Sequence, residues 1–403
     1  MGYLLGVILF ALGIALTIAL HEAGHMGAAR LLGMRVRRYF IGFGPTVGQF
    51  TRGHTTYGLK AVPLGGFCDI AGMTANDPLT PEEEPLAMWR RPAWQRIAVL
   101  AGGVVMNTFV GLVLIYTVAV TAGIPDPDVD LTPTVDGTAC VAPAQNPDGT
   151  LVPCSGPGPA AEAGIGAGDR ITAVDGRTVH TFIELRDTVM GKPGDTVELT
   201  VERDGVSRAV PVVVAEATRI NTAGEEVTVG AIGVSRAPVA NVFRSYGPVE
   251  GVGASLRFAG LMFSGTVEGL ISFPAKIPGV AASVVGGERE QDSPVSVVGA
   301  TRIGGELAER SEWATFLMML ASLNFFLALF NVVPLPPLDG GHIAVVVWEK
   351  LRDAVRRLRG LPPGGPADYR GLMPLTYAVA AVLLTVGMIV IAADVVNPIR
   401  LPG

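Results

Sequence analysis

The chain has 403 residues, of which 49% are hydrophobic and 16% are charged, and its mean hydropathy is +0.45. Soluble domains usually carry roughly 25% charged residues, so this balance favours a membrane protein. The net charge of -6 and the pI near 5.5 argue against a nucleic-acid binder, because basic residues are not in excess.

Three apolar runs are long enough to cross a bilayer, which takes about 20 residues: Gly2–Leu20, Ile97–Ala122 and Leu372–Ala393. A fourth predicted span, Trp313–Leu335, is apolar but carries Asn324 and Asn331 and ends in prolines. A cleaved signal peptide is an alternative for the first run. However, no basic segment begins it and no small-residue cleavage site precedes the histidines that follow it.

Charges in the short loops predict the orientation of these spans. Residues 30–96 hold nine Lys or Arg and residues 350–370 hold six, whereas 97–169 hold none. Cytoplasmic loops carry the excess of basic residues, so 30–96 and 349–371 are predicted to be cytoplasmic. Both termini and the region 123–311 are then predicted to lie outside the cytoplasm.

The first apolar run continues into the motif HEAGH, residues 21–25. Residues four apart share one face of a helix, so His21 and His25 can reach the same metal ion. This is the zinc-peptidase signature, in which the glutamate, here Glu22, is the general base for a zinc-bound water. The motif also occurs by chance on solvated helices. Inside a membrane helix, ionisable groups are expensive and functional by default.

The segment after the first helix, Tyr39–Phe67, alternates in polarity and contains many glycines, which predicts a β-hairpin. It is apolar enough to lie against or dip into the membrane, where non-helical backbone must be buried in protein. Residues 74–92 are rich in Glu and Pro and are predicted to form a solvated cytoplasmic loop.

Residues 158–214 are predicted to form short strands and one helix, Phe182–Met190, with tight turns at Asp175-Gly176 and Asp204-Gly205. They resemble the bacterial type of PDZ domain, which implies binding of extended peptides by β-augmentation. A generic small α+β module is the alternative. Residues 240–311 show helical periodicity with modest hydrophobicity, which predicts an amphipathic helix on the outer membrane face.

Zinc needs a third protein ligand, and the best candidate is Asp339 in NVVPLPPLDGGH. The three prolines before it forbid a regular helix, and the two glycines after it let the chain turn sharply. Alternatively, Asp339 is the N-cap of a helix over Gly341–Leu358. The remaining histidines are less suitable ligands because of where they lie. His54 is in the hairpin turn, His180 is in the PDZ-like segment, and His342 is at the inner end of the third span.

Taken together, these motifs resemble those of the site-2 protease family. The resemblance rests on HExxH in a first membrane helix, Asn-x-x-Pro-x-Pro-x-Leu-Asp-Gly in a third, and a PDZ-like segment between them. It covers essentially the whole chain and is similar to the regulator-of-sigma-E protease branch, with a single PDZ copy as in actinobacterial members. It implies intramembrane proteolysis with one zinc ion on His21, His25 and Asp339, and with Glu22 as the base.

The same resemblance implies substrate contacts. The family hairpin holds substrate as an added strand, and Gly42 and Gly44 lie where it begins here. A helical substrate must be unwound before cleavage, and an edge strand, here predicted within Leu59–Val62, offers replacement hydrogen bonds.

Three asparagines in the apolar runs are further candidates. Asn331 and Asn324 match family asparagines near Leu-Asp-Gly. Asn331 is favoured as a substrate contact, and interhelical hydrogen bonding is the alternative for both. Asn107 matches a Gly-Pro-x-x-Asn pattern except that Val104 replaces the proline. It is interpreted as packing between helices.

Two of the three cysteines, Cys140 and Cys154, lie in the region predicted to be outside the cytoplasm. An oxidising compartment favours a disulfide there, worth about 3 kcal/mol in the chain-entropy model. The alternative is two unpaired residues in a mobile loop. Cys68 is predicted to lie on the other side, without a partner.

These features predict a polytopic α-helical membrane protein of about four spans, with a membrane-associated β-hairpin and an extracytoplasmic α+β PDZ domain, in the bacterial cell (inner) membrane. The predicted segments are the first helix 1–32, hairpin and loop 33–93, second helix 94–122, PDZ domain with insertion 123–235, amphipathic region 236–311, third segment 312–348, basic loop 349–371 and fourth helix 372–394.

The predicted function is zinc-dependent intramembrane cleavage of trimmed single-span membrane proteins, such as anti-sigma factors. A membrane zinc peptidase acting on exposed chains is one alternative. A PDZ scaffold or zinc transporter without enzymatic activity is the other.

Overall fold

The computed structural model describes residues 1–126, 128–146, 149–221, 225–239 and 242–399, except for the side chains of residues 63 and 64. The chain forms two compact units. The helical unit comprises Met1–Ile124 and Arg244–Gly403, and the inserted unit comprises Pro125–Phe243.

The helices, in chain order, are α1 (Gly2–Leu31), α2 (Ala93–Leu100), α3 (Gly102–Thr121), α4 (Pro159–Glu162), α5 (Phe182–Met190), α6 (Pro248–Val284), α7 (Val297–Glu309), α8 (Trp313–Val332), α9 (Asp339–Leu358) and α10 (Met373–Val396). The strands are β1 (Val36–Arg52), β2 (Thr55–Ile70), β3 (Ile124–Pro125), β4 (Val135–Thr138), β5 (Arg170–Val174), β6 (Arg177–Thr178), β7 (Thr196–Arg203), β8 (Val206–Val213), β9 (Ala215–Ile220), β10 (Glu226–Ala231), β11 (Val234–Arg236) and β12 (Phe243–Arg244).

Among the described residues, five helices are long and apolar enough to cross a membrane: α1, α3, α6, α8 and the segment Tyr369–Val396 that contains α10. The chain is therefore a polytopic membrane protein. Four of these helices coincide with the predicted runs. The additional candidate, α6, is a continuous helix of 37 residues in the region where an amphipathic helix was predicted.

Helices α1 and α8 run in the same direction, and α3 runs against them. Near their starts, the rings of Phe10 and Phe316 pack at 5.2 Å, and further along Asn324 of α8 donates a hydrogen bond to Thr17 of α1. The start of α3 meets the end of α1, where Gly24 approaches the backbone of Gly102. This packing brings the end of α1, the start of α3 and the end of α8 together.

Helix α6 begins and ends at the same end of this bundle. Its Gly251 lies against Val120 at the end of α3, and its Val280 packs with Val390 at the end of α10. The end of α10 in turn adjoins α7, which packs along the first residues of α1. These contacts place both ends of helix α6 at the end of the bundle where α1 and α8 begin.

The predicted hairpin is present, but its two strands fold back into a wider sheet. Residues 36–41 pair both with 66–70 and with 56–59, and residues 46–52 pair with 55–60. The fold-back requires glycine at Gly42, with a φ of +89°, because a side chain there would collide with the carbonyl oxygen of Val62. The free edges of this sheet are residues 46–52 and 66–70.

The prediction that Leu59–Val62 forms a free edge for substrate is therefore wrong for Leu59, which lies inside the sheet. Leu59 pairs with Ile41 on one side and with Gly48 on the other. Alternation of polarity identifies strands, but it does not reveal that one strand is bent over another.

A basic residue ties the loop after the hairpin to β1. The Arg37 guanidinium donates hydrogen bonds to Glu83, at 2.8 Å, and to Asp77, at 3.2 Å. The bond from Arg37 lowers the pKa of the Glu83 carboxyl to about 2.

The inserted unit contains a four-stranded antiparallel sheet in the order β6-β5-β7-β8, accompanied by the two-stranded pairs β9-β10 and β4-β11. Alternate residues of β7 enter the core, as in Val197, Leu199 and Val201. Helix α5 has the predicted bounds and is capped by Thr181, whose hydroxyl accepts a hydrogen bond from the Glu184 N–H. Turns with positive φ lie at Asp175 and Asp204, as predicted.

Cys140 and Cys154 form a disulfide, with their Cα atoms 5.8 Å apart, which confirms the predicted pair. Cys68 is a free cysteine and is partly buried.

Candidate metal centre and active site

Two histidines and one aspartate converge at the end of α1. The Nε2 atoms of His21 and His25 are 3.2 Å apart. The Oδ2 atom of Asp339 lies 3.4 Å from the first and 3.3 Å from the second. Among the described residues, the ligand atoms of these three side chains all lie within 4.8 Å of one another, which is close enough to hold one metal ion.

The residues fit a zinc ion. Three lone-pair atoms at these distances repel one another unless a cation or a proton lies among them. Oδ2 of Asp339 is buried, and its environment within the described residues offers it no hydrogen bond. A tetrahedral zinc ion with bonds of about 2.0–2.1 Å separates its ligand atoms by about 3.3 Å, and two imidazoles with one carboxylate are a common catalytic ligand set.

The turn between α8 and α9 brings Asp339 to α1. Gly340 and Gly341 pass so close to the backbone of Val332 and Leu335 that a side chain on either would collide with it. Asp339 is the first residue of α9, and Leu338 occupies the N-cap position. The alternative in which Asp339 caps a helix starting at Gly341 is therefore wrong, and its carboxylate faces the histidines.

The second nitrogen of His25 is held by the backbone. Its Nδ1 lies 2.8 Å from the carbonyl oxygen of Val99, near the end of α2. Donation from Nδ1–H fixes the tautomer that leaves a lone pair on Nε2, which is how proteins orient a ligating histidine.

Glycines that the sequence analysis did not single out make the convergence possible. A side chain on Gly103 of α3 would collide with the imidazoles of both His21 and His25. Gly24 and Gly102 meet backbone to backbone, so a side chain on either would push helices α1 and α3 apart. Small residues at intervals in apolar helices are the available signal for such contacts.

Glu22 lies beside the hairpin. A side chain added at Gly66 would lie against the side chain of Glu22, and the Cys68 backbone N–H is near enough to the Glu22 carboxylate to interact with it. The free edge at 66–70 is thus the part of the sheet next to Glu22. Gly42 and Gly44 lie where β1 folds back, opposite Val62.

The asparagines occupy different environments. Asn331 is partly buried and donates to the carbonyl oxygen of Leu327 in its own helix. Asn324 is fully buried and bridges α8 to Thr17 of α1, which is the interhelical hydrogen bond given above as the alternative. Asn107 is also buried, but within the described part of the chain its amide group has no hydrogen-bond partner. The structure shows no contact that explains Asn107.

A buried ion pair joins α9 to α2. Arg96 of α2 donates to Glu349 of α9 at 2.5 Å, and Glu349 also accepts from the Ala367 N–H. Breaking a buried pair leaves an uncompensated charge, so this contact anchors α9 to α2. Neither residue belongs to a motif, so the sequence carries no local signal for the pair.

Two imidazoles, a carboxylate and an adjacent glutamate, set among helices that are apolar enough to cross a membrane, are the arrangement of a membrane-embedded zinc metallopeptidase. Comparison with known proteins gives the family. Residues 9–360 match the model of peptidase family M50. The chain belongs to this family and is a zinc metalloendopeptidase.

Several similar proteins carry the name zinc metalloprotease or putative zinc metalloprotease. The chain is 44% identical to the zinc metalloprotease Rip1 of Mycolicibacterium smegmatis, over 98% of both chains. It is 43% identical to Rip1 of Mycobacterium tuberculosis, over 100% of both. A putative zinc metalloprotease of Brucella suis is 30% identical over 90% of this chain and 88% of its own. The PDZ domain of an SdrC-like protein from Listeria innocua aligns with 27% of this chain and 94% of its own, at 20% identity, but the TM-score of 0.18 is too low to support an argument.

Proposed function

We propose that this zinc metalloendopeptidase cleaves its substrates within the membrane, with His21, His25 and Asp339 as zinc ligands and Glu22 as the general base. The observation that carries the proposal is the convergence of these side chains at the ends of apolar helices. Charged and metal-binding groups in such helices are costly and are retained for function.

Bound zinc would lower the pKa of a water to about 7 and polarise the substrate carbonyl. Glu22 accepts the proton of the attacking water and returns it to the leaving amine. The Val99 carbonyl oxygen keeps the His25 ring in one orientation, and the turn at Gly340 keeps Asp339 against α1.

The substrate is an unwound chain that pairs with the hairpin sheet. Neighbouring N–H groups along a strand point to opposite sides. Because the Cys68 N–H faces Glu22, the Gly66 N–H points the same way, to the free edge. Substrate added there would lie beside Glu22. Gly42 and Gly44 shape the fold-back that forms this edge, and Asn331 contacts substrate near the end of α8.

Four helices cross the membrane in this proposal: α1, α3, α8 and α10. Helix α6 lies along the surface because both of its ends contact the same end of the bundle. The basic loops 30–96 and 349–371 are cytoplasmic, and the inserted unit is outside the cytoplasm, in the bacterial cell membrane. Its disulfide fits an oxidising compartment.

The substrates are single-span membrane proteins already trimmed by another protease, such as anti-sigma factors, and the inserted unit acts as a PDZ domain that contacts them. This assignment extends the resemblance to the regulator-of-sigma-E branch. A scaffold or a zinc transporter would not need Glu22.

The test is Glu22→Gln, in purified protein and in cells. Cleavage should fall about 10³-fold, within the range that general acid–base catalysis contributes, while zinc content stays unchanged. Membrane proteomics of the variant should show a trimmed single-span protein that accumulates. Undiminished cleavage would exclude Glu22 as the base.

A further inference from the structure

Helix α9 begins at the proposed zinc site, between two of the proposed membrane spans. Its second residue, Gly340, lies against the carbonyl oxygen of Val332, where α8 ends. In its first turn, Nδ1 of His342 lies 3.4 Å from the hydroxyl oxygen of Tyr369, a few residues before α10. The start of α9 is therefore fixed at the end of the bundle where α8 ends and α10 begins.

One face of α9 is covered by the chain that returns towards α10. Asp353 accepts a hydrogen bond from the Gly364 N–H at 3.0 Å. Glu349 accepts one from the Ala367 N–H at 2.7 Å. Val346, one turn before Glu349, is buried in the core beside this face. The covered side of the helix therefore holds both acidic residues that follow its first turn.

The opposite face of α9 is apolar and exposed. Five apolar side chains on it are 41–89% exposed: Val347, Trp348, Leu351, Val355 and Leu358. They recur every three or four residues, so they form one stripe along the helix. Each residue is turned by about 100° from the one before it, so Leu351 lies nearly opposite Glu349. A continuous apolar stripe of this kind marks a surface that contacts a partner or a membrane.

Basic side chains border the stripe on both sides. Lys350 and Arg357 lie on one border and Arg359 on the other, and all three are exposed. None of them forms a salt bridge with another residue that the structure describes. Basic side chains beside an apolar stripe lay their methylene groups along lipid and extend their charges to the headgroups. An anionic bilayer surface therefore matches both the stripe and the charges beside it.

We propose that the exposed stripe of α9 docks on an anionic lipid surface, with Lys350, Arg357 and Arg359 at the headgroup phosphates. The inference rests on the proposed spans α8 and α10 and on the proposed cytoplasmic position of residues 349–371, because the leaflet on that side is negatively charged. It adds a lipid-binding element to the helix whose first residue, Asp339, is a proposed zinc ligand.

The experiment uses full-length protein that carries one nitroxide spin label and is reconstituted in lipid vesicles. Collisions of the label with oxygen, which concentrates in lipid, are compared with collisions with a water-soluble nickel complex. The label is placed at Leu351→Cys in the stripe. Glu82→Cys, in an exposed loop, is the water reference, and Leu384→Cys, on the exposed surface of α10, is the lipid reference. All three proteins carry Cys68→Ser and keep the disulfide intact.

The vesicles contain either phosphatidylcholine alone or equal parts of phosphatidylcholine and phosphatidylglycerol. With phosphatidylglycerol, the label at Leu351→Cys should behave like the lipid reference. Its ratio of lipid-exposed to water-exposed populations should rise about fivefold or more over phosphatidylcholine alone, since each basic side chain near an anionic surface contributes about that factor. The two references should not respond to the lipid composition.

The role of the charges is tested by the triple variant Lys350→Gln, Arg357→Gln, Arg359→Gln, with the label in the stripe. This variant should lose the rise that phosphatidylglycerol causes. The matched control removes three exposed arginines of the inserted unit and should keep the rise; its changes are Arg177→Gln, Arg186→Gln and Arg236→Gln.

Three results would overturn this inference while leaving the proposed zinc chemistry intact. A stripe label that behaves like the water reference in both vesicles would show that the stripe stays in water. Loss of collisions with both reagents would place the stripe against a second copy of the chain. Equal lipid exposure in the two vesicles would show that anionic headgroups are not the partner. By contrast, a water-exposed label at Leu384→Cys would overturn the proposed span α10, and this inference with it.

Discussion

The two units of this protein place their polar groups under opposite conditions. In the helical unit the surroundings are apolar, and the buried His21 and His25 and the partly buried Asp339 stand out against them. In the inserted unit the core consists largely of valine, leucine and isoleucine, and a cavity of this unit is lined largely by apolar residues. A few residues therefore indicate the chemistry of the first unit, whereas the cavity of the second is visible only in the folded shape.

The two units should therefore respond differently to mutation. In the helical unit the converging side chains are only 10–15% exposed, so little solvent can replace a lost partner and changes at single residues should be severe. In the inserted unit, water can compensate for a lost contact at the surface. Effects there should be graded and dependent on pH.

The largest effect is expected for Asp339→Ala. Two imidazoles alone leave zinc without its third protein ligand, so both bound zinc and cleavage should be lost. Atomic absorption on purified protein measures the zinc. His342→Ala is the matched control, one turn further along α9 and outside the cluster, and should retain zinc. A full zinc content in the Asp339 variant would remove Asp339 from the ligand set.

Gly103→Ala should be nearly as damaging. The added methyl group collides with both imidazoles and must displace a ligand or push α3 away from α1. A displacement of about 1 Å at a reacting centre can cost about 100-fold in rate. Gly27→Ala in α1 adds the same methyl group to open space and should leave cleavage unchanged. Equal rates for the two variants would show that the site tolerates looser helix packing.

A third test concerns the free edge of the hairpin sheet. Gly66→Pro removes the N–H proposed to bond substrate. Gly66→Ala is the matched control, because it also adds a Cβ next to Glu22 but keeps the N–H. The proline variant should cleave about tenfold more slowly than the alanine variant, because an unmade hydrogen bond to an unwound substrate costs about 1–3 kcal/mol. Both should bind zinc. If the two variants cleave at the same rate, substrate does not pair at Gly66.

Much of the proposed metal centre could be predicted from the sequence, because helix geometry places its two histidines together. The spacing of His21 and His25 places them on one face, and the prolines and glycines around Asp339 predict a turn. Helix α5, the disulfide and the hairpin also follow from local signals. These features depend on residues close together in the chain.

The remaining features depend on contacts between distant segments. The double pairing of Leu59 arises because β1 bends back over β2, which alternation cannot show. The approach of Gly103 to the histidines and the pairing of Arg96 with Glu349 arise from helix packing. Likewise, periodicity detected helical character in α6, but not that one helix continues for 37 residues across Pro274 and Pro278.

The smallest effect is expected for Arg203→Met in the inserted unit. Arg203 donates to Asp169 through Nε at 2.5 Å and through Nη2 at 2.6 Å, and the Asp169 side chain is fully buried. The guanidinium holds the pKa of the Asp169 carboxyl below its usual range, and the Gly166 N–H contributes. A carboxyl group with a lowered folded-state pKa stabilises the fold above its unfolded pKa of about 3.9.

That stabilisation is lost as the pH falls through the folded-state pKa, so the two proteins should differ most above about pH 5 and converge in acid. The urea concentration at which β7 amides lose protection from hydrogen exchange measures the difference. At pH 7 the variant should lose protection at a clearly lower urea concentration than wild type, and at pH 3 the gap should be narrower. Arg177→Met, at an exposed position of β6, should behave like wild type throughout. A gap that stays constant from pH 7 to pH 3 would mean that Arg203 stabilises the unit by packing and not through the charge of Asp169.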